Sequence, residues 1–141
     1  QFISHYFESV GAKAYVDGIA ELQKHQKNGK TVVIISGCPH WLLYGVARHI
    51  GIKNVRLLGS TCKVSYFSLL INQHCYKSNK IKMASSAGMD KDKWLIGYSD
   101  SMADIPMLER CVDKVLINVK PKKLTQFKSR LSGDVQERLW V

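Results

Sequence analysis

The chain has 141 residues, 45% of them apolar, and carries a formal net charge of +10 from 21 Lys and Arg against 11 Asp and Glu. That is the length of one domain with a sizeable core, and the apolar content excludes a disordered chain. Its longest apolar run, residues 65–71, is far too short to span a bilayer. The excess of positive charge asks for an anionic partner: nucleic acid, a phosphorylated substrate or an acidic membrane surface.

Residues 1–10 place Phe2, Ile3, Tyr6, Phe7 and Val10 at helical spacing, and residues 14–27 do the same with Tyr15, Val16, Ile19, Ala20 and Leu22 before Asn28-Gly29. Residues 31–35 are a largely β-branched apolar run of the kind buried on both faces in a parallel sheet, closed by Ser36-Gly37. Pro39 opens a helix through Leu42, Leu43, Val46 and Ile50 that Gly51 stops, and residues 55–58 form the next strand. Residues 61–76, rich in β-branched and aromatic side chains, predict a short hairpin or edge strands. A helix over residues 80–87 ends at Gly88, and Trp94 to Ile96 form a buried strand that breaks at Gly97 into a polar turn. A helix over residues 105–111, a strand over 115–119 and a last basic helix from Pro121 complete the chain. Strands alternating with helices imply an α/β fold built on a parallel sheet, with ligands bound beyond the carboxyl ends of its strands. No strand precedes residues 1–10, so the sheet has an exposed flank unless another segment covers it. The chain opens on Gln1 rather than Met and shows no signal-peptide pattern, as a cut or processed N-terminus would.

Four cysteines, Cys38, Cys62, Cys75 and Cys111, lie far apart with no C-x-x-C pair, which argues against zinc and for free thiols in a reducing compartment. Lys120, Lys122, Lys123, Lys128 and Arg130 form the densest basic group, but no array of aromatics accompanies it. It reads as a solvated basic face, better suited to weak docking on anionic lipid than to nucleic acid.

The chemistry concentrates at three strand ends. The first is Ser36-Gly37, and a lysine follows later in the chain. The third is Tyr98-Ser-Asp-Ser-Met-Ala-Asp104, where Asp100 and Asp104 lie four residues apart at a strand end and a helix start. Clustered carboxylate oxygens suit Mg²⁺, which completes its shell with water and substrate phosphate. Taken alone, the same residues also read as a helix N-terminus, with Asp100 or Ser101 as cap and Asp104 favoured by the dipole.

An apolar strand ending in Ser (V-V-I-I-S-G, Val32 to Gly37), a later lysine (Lys80 in C-Y-K-S-N-K-I) and an apolar strand ending in D-x-x-x-D (Asp100 and Asp104 in Y-S-D-S-M-A-D-I-P-M-L) resemble motifs two, three and four of the haloacid dehalogenase superfamily of phosphatases. The resemblance runs from about Thr31 to Lys123. Within the superfamily the chain is similar to the phosphoserine-phosphatase-type subfamily I, and in texture most similar to phosphatidylglycerophosphatase C-like members. This implies an incomplete Rossmann-like parallel sheet, with residues 1–27 the tail of a helical cap and a linking helix, and 28–141 the core. It also implies a bacterial, cytoplasmic, Mg²⁺-dependent phosphomonoesterase, working peripherally at the inner membrane if its substrate is an anionic lipid. By the same resemblance Ser36 and Gly37 bind a phosphoryl oxygen, and Lys80 offsets charge on phosphate and nucleophile, with Lys77 and Lys82 as rivals. Asp100 ligates Mg²⁺, while Asp104 holds a metal-bound water or orients Lys80.

One motif is missing. Enzymes of this kind attack phosphate with the first Asp of a D-x-D-x-T or D-x-D-x-V strand end, and the second Asp acts as general acid and base. The sole D-x-D string here is Asp90-Lys91-Asp92, which no apolar strand precedes. Two expectations follow: the C-terminal part of a longer phosphatase, inactive by itself, or a non-catalytic module that binds phosphate or an acidic partner.

Overall fold

The computed structural model describes residues 14–65, 68–89 and 94–141, side chains excepted at 63–65 and 68–73. It divides into two compact units, Gln1–Cys75 with Val141, and Tyr76–Trp140. That division falls inside the stretch the sequence reads as one core. The helical pattern of residues 1–10 and the Asp90-Lys91-Asp92 string lie outside the described residues.

In the first unit, helix α1 (Val16–Lys27) has Asp17 in its first turn and Lys24, His25 and Lys27 in its last, each sign at the helix end whose dipole favours it. The Gln26 side-chain amide donates to the carbonyls of Lys53 and Asn54 at 2.8 and 2.9 Å, tying α1 to the turn that leads into the second strand. Strand β1 (Val33–Pro39) runs into helix α2 (His40–His49), which buries Leu43 and Ala47 one turn apart. Gly51, at φ +75°, then turns the chain out of α2 in left-handed backbone. Strand β2 (Arg56–Ser65) lies parallel to β1 and antiparallel to β3 (Ser68–Gln73), the hairpin expected between residues 61 and 76.

The second unit holds helix α3 (Asn79–Ser86), strand β4 (Trp94–Ser99), a 3₁₀ turn (Met102–Asp104), helix α4 (Ile105–Leu108), strand β5 (Cys111–Ile117), helix α5 (Pro121–Arg130) and strand β6 (Val135–Arg138). Strands β4, β5 and β6 pair in that order, all parallel. Leu108, Leu116, Phe127 and Leu131 form the core, with Ile105, Leu124 and Val135 packed against it. Burial of each such side chain stabilises the unit by roughly 1.5–3 kcal/mol. The α/β class with parallel pairing and flanking helices is the one the sequence predicts.

Three local expectations are corrected. Ser36-Gly37 does not close β1; the strand continues to Pro39 after a register break, and Pro39 caps α2 rather than opening it. Nor is β1 buried on both faces. It is half-buried along its whole length because, among the described residues, only β2 pairs with it. The helix expected to reach Cys111 ends at Leu108, since Cys111 pairs with Trp94 and starts β5 four residues early. Strand β6 was not foreseen at all. Its sequence, Val-Gln-Glu-Arg, has one apolar residue, and main-chain pairing with β5 makes it a strand.

Candidate active site

Strand β4 ends at a serine whose side chain is buried, and a tight turn follows. Ser101 is the cap of the 3₁₀ turn, its hydroxyl accepting from the Ala103 N–H at 3.3 Å. Its own N–H donates to the Ser99 hydroxyl at 3.0 Å, and Ser99 in turn donates to Asp104 Oδ2 at 2.7 Å. The other oxygen, Oδ1, receives Lys80 Nζ at 2.5 Å. Lys80 stands in the first turn of α3 and is 7% exposed; Asp104 is 9% exposed. Burying two charges is costly, and here the cost is offset by the short ion pair and by the hydroxyl on the second carboxylate oxygen. The result is a lysine held in one place beside the carboxyl end of a parallel strand. Ser101 is thus the cap of this turn, and Asp104 pairs with Lys80.

Asp100, between Ser99 and Ser101, is exposed at the same strand end. Of the three candidate lysines, Lys80 is the one that reaches Asp104. Lys82 is exposed, and exposed Lys77 lies with its ammonium 5.6 Å from the centre of the Tyr76 ring. Ser99 was not singled out in the sequence. Its signal was a small hydroxyl residue at the last buried position of a strand, two residues before a cap serine.

The first unit carries the other predicted residues. The Ser36 hydroxyl accepts from the Cys38 N–H at 3.2 Å and donates to Cys38 Sγ at 3.2 Å. Helix α2 follows with no side-chain cap and no acid in its own first turn, so neither neutralises the positive end of its dipole from within the helix. A thiol sulfur is a weak acceptor. The Ser36 hydroxyl is thus left on a weakly accepting partner.

Ser36 and Gly37 belong to one compact unit, and Lys80, Asp100 and Asp104 to the other. Among the described residues, no three His, Cys, Asp or Glu side chains converge into a ready metal cage. A single exposed carboxylate at Asp100, beside Asp104, still suits Mg²⁺, which takes few protein ligands and keeps most of its water. No helix of the described residues is long and apolar enough to cross a membrane.

The family of haloacid dehalogenase-like hydrolases matches residues 1–109, well over half of the chain. A crystal structure described as that of a protein with unknown function from Bordetella pertussis Tohama I is similar over 95% of this chain, with a TM-score of 0.71 and 17% sequence identity. At that identity the likeness concerns the fold. The chain spans 63% of the length of that Bordetella chain. No curated protein matches it.

Proposed function

The chain belongs to the haloacid dehalogenase-like hydrolase family, and from that membership we propose that it is the part of a Mg²⁺-dependent phosphomonoester hydrolase that grips the phosphate. The observation that carries the reading is the buried Lys80–Asp104 pair, steadied by Ser99 at the carboxyl end of β4, with Asp100 exposed next to it. In this reading the Lys80 ammonium offsets charge that builds on the phosphoryl oxygens, while Asp104 and Ser99 keep it aimed. Ser36 and the first N–H groups of α2 hydrogen-bond a phosphoryl oxygen. Asp100 would hold the metal directly and Asp104 through a water, the ion supplying further neutralisation of phosphate charge.

In this reading the attacking aspartate comes from a strand outside this sequence. Two features support that. Strands β1 and β4 each pair on one side only among the described residues, as strands with room for a further parallel neighbour would. The similar Bordetella structure, moreover, is longer than this chain. An anionic ester, on a lipid or otherwise, suits the net charge of +10.

Calorimetric titration of the purified chain with inorganic phosphate and Mg²⁺ tests the reading. Binding should weaken at least tenfold or so in Ser36→Ala and in Lys80→Met, as loss of a hydrogen bond or a charge to an anion implies. The chain by itself should not hydrolyse p-nitrophenyl phosphate, whereas a polypeptide extended upstream through a D-x-D-x-T strand should. Phosphate binding that is absent, or indifferent to both substitutions, overturns the proposal.

A further inference from the structure

The loop that carries Ser36 is held from below by two residues that the sequence does not advertise. Between Ile35 and Pro39 the register of β1 against β2 breaks, and pairing resumes as Pro39 opposite Ser60. Gly59 lies against this loop so closely that a Cβ there would stand 2.7 Å from His40 Cα and 2.9 Å from the Cys38 carbonyl oxygen. Ser60, 1% exposed, donates its hydroxyl proton to the Gly37 carbonyl at 2.7 Å and accepts from the Cys75 N–H at 2.9 Å.

The consequence runs through one peptide bond. A trans peptide is planar, and its C=O and N–H point in opposite directions. Fixing the Gly37 carbonyl on Ser60 therefore turns the Cys38 N–H the other way, and it donates to Ser36 Oγ at 3.2 Å. All the bonds in this chain have one sense. The Cys75 N–H donates to Ser60, Ser60 to Gly37, the Cys38 N–H to Ser36, and Ser36 outward to Cys38 Sγ. A lone pair of Ser36 is thereby occupied from inside the fold, which leaves its proton to be given away. Bonds aligned head to tail also polarise one another, strengthening the last donor.

We propose that Ser60 is a positioning residue that, through the Gly37–Cys38 peptide, commits the Ser36 hydroxyl to donating toward a phosphoryl oxygen. The inference rests on the phosphate-binding reading of Ser36 given above. When phosphate arrives, its oxygen takes the place of Cys38 Sγ as acceptor, and nothing upstream in the relay has to move. Gly59 has the complementary part of letting β2 approach closely enough for Ser60 to reach.

A double-mutant cycle on the 141-residue chain tests this, with inorganic phosphate in Mg²⁺ buffer titrated calorimetrically into the parent, Ser36→Ala, Ser60→Ala and the double variant. If Ser60 acts through Ser36, Ser60→Ala weakens phosphate binding by about tenfold alone and by little once Ser36 is already alanine. Near-UV circular dichroism checks that each variant is folded. Should Ser60→Ala fail to fold, Ser60→Cys, of similar shape but with a weak donor, takes its place in the cycle. Unchanged affinity in the Ser60 variant, or an equal loss in both backgrounds, overturns the relay while leaving the phosphate site standing. A parent chain that does not bind phosphate, or whose binding ignores Ser36→Ala, removes the phosphate site and the relay together.

Discussion

The two units hold their candidate residues in opposite ways. At the end of β4, Lys80 and Asp104 are buried, ion-paired and braced by Ser99, with both carboxylate oxygens occupied. At the register break within β1, Ser36 and Gly37 are half-buried, and the Ser36 hydroxyl lies on a thiol, a weak acceptor. One arrangement is saturated, the other is held in readiness. The first aims the Lys80 charge by pairing it with a buried carboxylate, so its integrity is inseparable from the stability of its unit. The second fixes the backbone and leaves its last donor on a weak acceptor.

Substitutions should separate these two cases. The largest effect is expected for Lys80→Met, which strands a buried carboxylate and should destabilise the protein by about 3–5 kcal/mol in urea unfolding. Replacing both partners, as Lys80→Met with Asp104→Leu, should recover most of that loss, because neither charge is then left uncompensated. Gly59→Ala should come next, at roughly 1–3 kcal/mol, since its methyl meets backbone rather than a flexible side chain. In contrast, Ser36→Ala should change stability by only about 0.5–1 kcal/mol, losing one weakly partnered hydroxyl. Its effect belongs to phosphate affinity. A Ser36→Ala variant as unstable as Lys80→Met would erase the distinction between the two arrangements.

Two groups outside the site set smaller, pH-dependent effects. Burial pushes the Cys111 thiol up to about 11 from an ordinary value of 9.0, partly opposed by Lys114. A raised value means that the folded state keeps its proton longer than the unfolded state. Its stabilising contribution is therefore present below pH 9.0 and lost as pH rises through about 11. Cys111→Ala should flatten this alkaline loss in melting temperature. At neutral pH, Cys111 should react with iodoacetamide far more slowly than half-buried Cys38. The Ser132 hydroxyl and N–H hold Glu109 below the ordinary carboxylate value of 4.5, Lys114 adding to this and partial burial opposing it. That contribution is present above pH 4.5 and lost as pH falls through the folded-state value. Melting curves of Glu109→Gln should show a shallower acid limb, the mildest of these effects.

Much of the fold was legible because it is written locally. The amphipathic spacing of residues 16–27, the apolar runs that became β1 and β4, the glycine stop at Gly51 and the proline start at Pro121 each act over one or two turns of chain. The D-x-x-x-D turn was legible too, since Asp100, Ser101 and Asp104 are neighbours in sequence. Strand β6 was not, because one valine and three polar residues carry no strand signal until β5 offers its edge. Cys111 was misplaced for the same reason: helical spacing carried it into the helix, and pairing with Trp94 took it out.

The amino-acid sequence alone determined the alternation of strands and helices and the order of the polar residues along them. These depend on side-chain periodicity and on residue identity, which need no partner. Only the tertiary structure decided that Lys80, rather than Lys77 or Lys82, meets Asp104, that Ser99 steadies the pair, and that Ser60 grips the loop under Ser36. Those three contacts join residues 24, 5 and 23 positions apart. Each depends on burial and on the direction of a single hydrogen bond, which are properties of the packed chain and not of any stretch of its sequence.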